Sequence, residues 1–282
     1  MISRETRELA SLWINVDENR IPAMQEICLK SYVQLGYKIN LYVYQKFENI
    51  PDGVNVINGN EIMPMVIGTM YQPCANFADR FRWKLLSLKN NYIWVDLDIY
   101  LFDEIPDFDY YLPKFSIGFL YSKDKKIFKE LNDYCENPLQ HLPWHTPKRF
   151  SEIEDCKNKG FTSAKQMHEH GPHAFFGNEI YAMWMLKNFR YPVSSDEPVY
   201  PVPYDDWFSV IDGWVPDKTF KDLFPNSFAC HLWNGAWAMQ FDCDDLSPRK
   251  GSLMDRLQHL YNRRIKVQKS LTAPDPKSNK HS

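Results

Sequence analysis

Apolar positions along the first hundred residues alternate between two spacings. Leu9 to Val16 is a short run with strand character. Ile21 to Leu35 places Met24, Ile27, Cys28, Tyr32 and Leu35 at helical intervals, and Gly36 breaks the pattern. Lys38 to Tyr44 puts Ile39, Leu41 and Val43 at every second position, which predicts a strand with one buried face. Pro51-Asp52-Gly53 is a turn, and Val54 to Ile57 a further short strand. Asn76 to Lys89 returns to helical spacing, with Phe77, Phe81, Leu85 and Leu88 on one stripe. Tyr92-Ile93-Trp94-Val95 is apolar and stops abruptly at Asp96.

Strand, helix, strand, strand, helix, strand is the order of an α/β fold, Rossmann-like, with a mostly parallel central sheet flanked by helices. In open sheets of this kind ligands bind beyond the carboxyl ends of the strands, where Asp96 and Asp98 fall. Further on, Phe115 to Tyr121 reads as a strand, Lys125 to Cys135 and Asn178 to Asn188 as helices, and Phe228 to Trp233 as a short strand. Pro192 to Pro203 is Pro-rich and extended. The polar, Pro- and His-containing stretch near the middle suggests a smaller irregular lobe facing an acceptor. We divide the chain into a domain over 1–246 and a basic C-terminal helix with a disordered tail over 247–282.

Composition narrows the function classes. The 282 residues carry a net charge of −3, which argues against a surface built for nucleic acid. No stretch approaches the ~20 apolar residues of a membrane span, and the charged N-terminus has no hydrophobic signal core. The six cysteines have no CxxC spacing and read as reduced core thiols; Asn-x-Ser/Thr sequons are absent. These features predict a cytoplasmic protein. Leu253 to Ser270 presents Arg256, Arg263, Arg264, Lys266 and Lys269 over Leu253, Leu257, Leu260 and Ile265, a pattern suited to peripheral contact with anionic lipid on the inner face of a membrane or to packing on the domain.

Asp96 and Asp98 are the chemical centre of the sequence. If the strand geometry continues, a spacing of two puts both side chains on one face, where both can meet one ion or one can meet the ion and the other its bound ligand. Hard divalent cations prefer oxygen ligands. Charges placed between Tyr92-Ile93-Trp94-Val95 and Ile99-Tyr100-Leu101-Phe102 would be costly without partners.

The block Ala75-Asn76-Phe77-Ala78-Asp79-Arg80-Phe81-Arg82-Trp83-Lys84-Leu85-Leu86, followed by Trp94-Val95-Asp96-Leu97-Asp98, resembles the DXD sugar-binding region of retaining GT-A glycosyltransferases. It is similar to that of certain mannosyltransferases, of the α-1,4-galactosyltransferases and of bacterial capsule or lipopolysaccharide transferases. The resemblance covers about the first hundred residues and short motifs downstream. It implies a GT-A fold and a hexosyltransferase that uses Mn²⁺ or Mg²⁺ and a nucleotide-sugar donor, UDP-hexose favoured. A glycan or lipid-linked glycan would be the acceptor, in cell-surface polysaccharide synthesis. Asp96 and Asp98 would act at the metal-diphosphate, with Asp79 and Arg82 on the donor sugar and its phosphate and Trp13 on the base. Asn15-Val16 stand where the family often has Gly, which departs from its local loop.

Cys230-His231-Leu232-Trp233-Asn234-Gly235-Ala236-Trp237 resembles the family's late His-x-Trp motif. It implies that His231 completes the metal shell and that Trp233 or Trp237 closes over the diphosphate. Gly171-Pro172-His173-Ala174-Phe175-Phe176-Gly177-Asn178 resembles a Gly-Pro motif at the sugar–acceptor boundary. His173, Asn178 and Glu179 are acceptor-side candidates there, as are Asp205 and Asp206 further along. His168 and His170, two apart, lack the helical zinc spacing. Rival readings are a protein-modifying glycosyltransferase, a metal-dependent phosphoryl-transfer enzyme and a non-catalytic carbohydrate-binding module. The phosphoryl-transfer reading lacks a phosphate-cradling GxxxxGK[ST] loop.

Overall fold

The computed structural model of the protein describes residues 7–15, 18–65, 71–114, 116–163, 166–167, 171–172, 175–187, 193–203, 206, 220–234, 250–252 and 255–257. Strands β1 (Glu8–Trp13), β2 (Ile39–Val43), β3 (Val54–Asn58), β4 (Tyr92–Val95), β6 (Tyr110–Tyr111) and β7 (Phe119–Ser122) form one sheet in the order β3-β2-β1-β4-β7-β6. The β3-β2-β1-β4 part is parallel, whereas β7 runs antiparallel to β4 and β6 antiparallel to β7. A second, two-stranded antiparallel sheet pairs β5 (Ile99–Leu101) with β8 (Ala229–His231). The strand order reverses between β1 and β4, the topological position beyond whose carboxyl ends open sheets of this kind bind ligands.

Helices cover both faces. Helix α1 (Ala23–Gln34) packs with Leu9, Ile39, Leu41, Ile93 and Val95 in one core. On the other face α2 (Tyr71–Leu88) and α3 (Lys126–Glu136) meet Ala10, Leu12, Tyr42, Trp94 and Leu120. Successive strand residues therefore feed opposite cores, as a period of two requires. All five residues of β2 are buried, which corrects the expectation of one buried face. With helices on both sides, a central parallel strand has no wet face. Its polar Asn40 is satisfied by Glu8, 2.6 Å away, and by Asn55 at 2.7 Å.

Helix α1 ends as predicted at Gly36, whose φ of 81° suits a residue without a β-carbon. Its Tyr32 hydroxyl donates to the carbonyls of Ile99 (2.5 Å) and Asp96 (3.2 Å), bracing the turn after β4. Helix α2 begins earlier than predicted, and its last residue, Leu88, is 59% exposed rather than part of the buried stripe. The chain leaves the core there and reverses through Asn91 (φ 63°); Trp83 and Leu86 supply buried surface instead. Strand β7 starts at Phe119, later than the apolar run suggests.

Helix α4 (Pro147–Asn158) lies in the stretch that sequence patterning leaves irregular. The Thr146 hydroxyl accepts from the N–H of Arg149 and Pro147 occupies the first turn, a standard start signal. Helix α5 (Asn178–Lys187) agrees with expectation, and α6 (Phe220–Leu223) is a single turn. The predicted extended segment is bent, because the Asp196 carbonyl accepts from the N–H groups of both Val199 and Tyr200. Of the basic C-terminal helix only a fragment is described. In it Leu257 is fully buried in the α1 core and so faces protein rather than lipid. Among the described residues no helix is long and apolar enough to cross a membrane.

Candidate functional site

At the end of β4 the chain must place Asp96 next to a hydrophobic core, and two groups make that tolerable. The Asp96 Oδ1 accepts from Arg82 Nη2 at 2.8 Å and from the Trp94 indole N–H at 2.6 Å. Arg82 Nη1 donates to Asp79 Oδ1 at 2.9 Å, so a buried guanidinium bridges two carboxylates. The Arg82 Cζ also lies 4.8 Å from the centre of the Trp94 ring. Asp79 and Arg82 sit three apart on α2 and share one helix face, as their spacing predicts. Burial outweighs the pull of Arg82 and, helped by the Asp96 charge, raises Asp79 from 3.8 to about 6.

The strand ends at Val95 and turns, so the two aspartates do not share a face as a continued strand would require, and Asp98 looks toward β8. Its Oδ1 lies 3.2 Å from His231 Nε2, and its Oδ2 accepts from the Asn234 N–H at 2.9 Å. Its main-chain carbonyl accepts from Leu232 at 2.7 Å. Burial pushes the Asp98 carboxyl up, but His231 and the Asn234 amide outweigh it and hold the group below the ordinary range. Trp233, between the two amides that address Asp98, has φ of 54°, a sterically costly conformation for a bulky residue. That twist turns both flanking N–H groups toward one aspartate. The Trp233 ring lies 4.0 Å from the His231 ring, edge to face, and its indole N–H donates to Val202 O at 2.9 Å.

Trp13 ends β1, next to β4, with its side chain partly exposed and its indole nitrogen without a hydrogen-bond partner among the described residues. The structure therefore gathers Asp79, Arg82, Asp96, Asp98, His231 and Trp233 at the carboxyl end of β4, with Trp13 at the end of the neighbouring β1. Asn76, one turn before Asp79, donates to Pro172 O (3.0 Å) and accepts from Phe175 N (2.7 Å), fastening the Gly171-Pro172 motif to α2. Glu179 lies instead against Arg149 and Lys148, at 3.2 and 3.4 Å. Asn178 is exposed at the start of α5, and Asp206 is exposed too. Trp237, His173 and Asp205 lie outside the described residues.

Asp98 and His231 are the pair best suited to an ion. Two ligands each ~2.1 Å from a metal, at a right angle, stand about 3 Å apart, close to the 3.2 Å separation of Oδ1 and Nε2. The His231 Nδ1 is buried without a hydrogen bond, so the usual orienting partner of a ligating imidazole is lacking among the described residues. Asp96 offers only Oδ2, since Oδ1 is taken twice. No three His, Cys, Asp or Glu side chains among the described residues converge as a metal shell. Asp98 and His231 fit a metal as two ligands of an incomplete shell, with Asp96 as the nearest further carboxylate in sequence.

One contributor, Gly118, has no signature in the sequence. A β-carbon on Gly118 would stand 3.0 Å from Asp96 Oδ2 and 3.3 Å from the Tyr200 hydroxyl, so this glycine leaves the space in which that oxygen sits. Its carbonyl also accepts from the Asp96 N–H at 2.7 Å. Both effects depend on contacts far apart in the chain. No family model matches the chain, and no curated protein matches it significantly.

Proposed function

We propose that the protein is a metal-dependent glycosyltransferase of the GT-A type. It would move a hexose from a nucleotide sugar, UDP-linked by preference, to a hydroxyl of a glycan or lipid-linked glycan, with retention of configuration. The observation that carries this reading is the meeting of Asp79–Arg82–Asp96 with Asp98–His231 at the β1/β4 switch point.

Charge supports it. Three carboxylates stand there against the guanidinium of Arg82 and the imidazole of His231, a surface that repels a diphosphate unless a divalent cation intervenes. Bound Mn²⁺ or Mg²⁺ supplies Lewis acidity toward the diphosphate. Asp98 and His231 would hold the ion and Asp96 would stay oriented by Arg82 and Trp94. Asp79 would face the donor sugar, Trp13 would offer its ring to the base, and Trp233 would cover the diphosphate. Transition-state stabilisation then rests on preorganised charge, since no side chain here must swing to act. No protein base is assigned; the departing phosphate takes the acceptor proton.

The test is a panel of UDP- and GDP-sugars scored for slow hydrolysis with Mn²⁺, alongside Asp98→Asn. The reading expects one donor to be hydrolysed in a Mn²⁺-dependent way and Asp98→Asn to lose at least about a hundredfold. No binding or hydrolysis of any donor, or a wild-type Asp98→Asn, sinks it.

A further inference from the structure

Residues 198–202 run as a strap between the two halves of the site. The Pro198 carbonyl accepts from Phe228 and Ala229, the Val199 carbonyl from His231, and the Val202 carbonyl from the Trp233 indole. The strap is thereby tied along β8 and the turn that follows it.

Tyr200 projects from this strap toward both halves. Its ring lies 5.3 Å from His231 and 6.1 Å from Trp233. Its hydroxyl accepts from the N–H of Phe119 at 3.0 Å and is also bonded to Ser116. The hydroxyl and the Asp96 Oδ2 border the same gap, the one left by Gly118. Burial pushes the phenol up, so it stays a neutral hydroxyl at any working pH. One side chain therefore touches the strand that backs Asp96 through its oxygen and the imidazole paired with Asp98 through its ring.

We propose that Tyr200 is a positioning residue that fixes the Asp98–His231 pair relative to Asp96. The role rests on the functional reading above: the ring sets ion binding through His231, and the hydroxyl sets turnover through Gly118 and Asp96. Its two parts can be removed separately. Tyr200→Phe keeps the ring and deletes the hydroxyl, whereas Tyr200→Leu deletes both.

The experiment measures Mn²⁺ binding by calorimetry, kcat and KM for hydrolysis of the best donor, and folded fraction by circular dichroism. Tyr200→Phe is expected to bind Mn²⁺ within about twofold of wild type, with kcat lower by about tenfold and KM little changed. Tyr200→Leu is expected to weaken Mn²⁺ binding by about tenfold in addition. A wild-type kcat in Tyr200→Phe overturns the proposal, as does a loss in both variants that merely tracks the unfolded fraction. If wild type neither binds Mn²⁺ nor turns over any donor, the functional reading fails on its own. Positioning is then judged by unfolding midpoints of Tyr200→Phe with Asp96→Asn, and of Tyr200→Leu with His231→Ala. Non-additive shifts in both pairs support it and additive shifts overturn it.

Discussion

Arg82 and Arg149 each stand between two carboxylates, in different settings. Arg82 joins Asp79 to Asp96 at the end of a parallel strand. Arg149, with no exposed side-chain surface, lies 3.3 Å from Glu152 and 3.2 Å from Glu179, its Cζ 3.9 Å from the Phe175 ring centre. The second cluster ties α4 to the start of α5, with a ring on one side, carboxylates on the other and Lys148 at its rim. The first stands at the carboxyl end of β4, two residues from Asp98 and its partner His231. Two buried guanidinium–carboxylate clusters thus stand in different places, one at the end of a sheet strand and the other between helices.

Arg82→Met should have the largest effect. It leaves Asp79 and Asp96 facing each other without a cation, and removing one partner of a buried pair costs about 3–5 kcal/mol. Donor hydrolysis should fall at least about a hundredfold even in the folded fraction, read by urea unfolding together with kinetics. Arg149→Met should destabilise by a similar ~3–5 kcal/mol while turnover per folded molecule is unchanged. Loss of turnover in the folded Arg149 variant would erase the distinction between the clusters.

The Asp79 carboxyl sharpens the contrast through pH. Its folded value of about 6 lies above the ordinary 3.8. Stability linked to it is therefore full below about pH 3.8 and is lost as pH rises through about 6. Whatever its offset at pH 4, Asp79→Asn should gain on wild type between pH 4 and pH 8 by on the order of 1–3 kcal/mol. Denaturant unfolding at the two pH values checks this; a flat or falling difference would show that burial does not dominate. The smallest effect belongs to Thr146→Ala, which removes the α4 cap for about 1 kcal/mol and should leave turnover alone. A kinetic change there would mean that α4 reaches the site.

Local pattern reveals the parts of the molecule that depend on neighbours in sequence. The strand and helix order through β4, the Gly36 stop and the shared face of Asp79 and Arg82 all follow from spacing. The abrupt end of an apolar run at Asp96 marks the end of β4, because a parallel strand loses its cover at its carboxyl end. What spacing cannot carry is contact between distant segments. Nothing in the sequence singles out Tyr200 or Gly118, whose roles exist only once 198–202 lies along β8. The strain at Trp233 is equally silent, and α4 is hidden by its polar face although Thr146-Pro147 announces its start. Glu179 is a further case, since its pairing with Arg149 and Lys148 has no mark in the sequence.

Asp98 and Asn234 are hydrogen-bonded across 136 residues of chain. At synthesis rates of about 5–20 residues per second, the two partners leave the ribosome roughly ten seconds apart. During that interval β1 to β4 can assemble with Asp98 still lacking His231, Leu232 and Asn234. The aspartate is then a dangling charge at the edge of a half-built sheet, and the arriving β8 strand acts as the clasp that retires it. A chain that fails to close the clasp leaves the β5 edge unpaired with β8 and open to pairing with another chain.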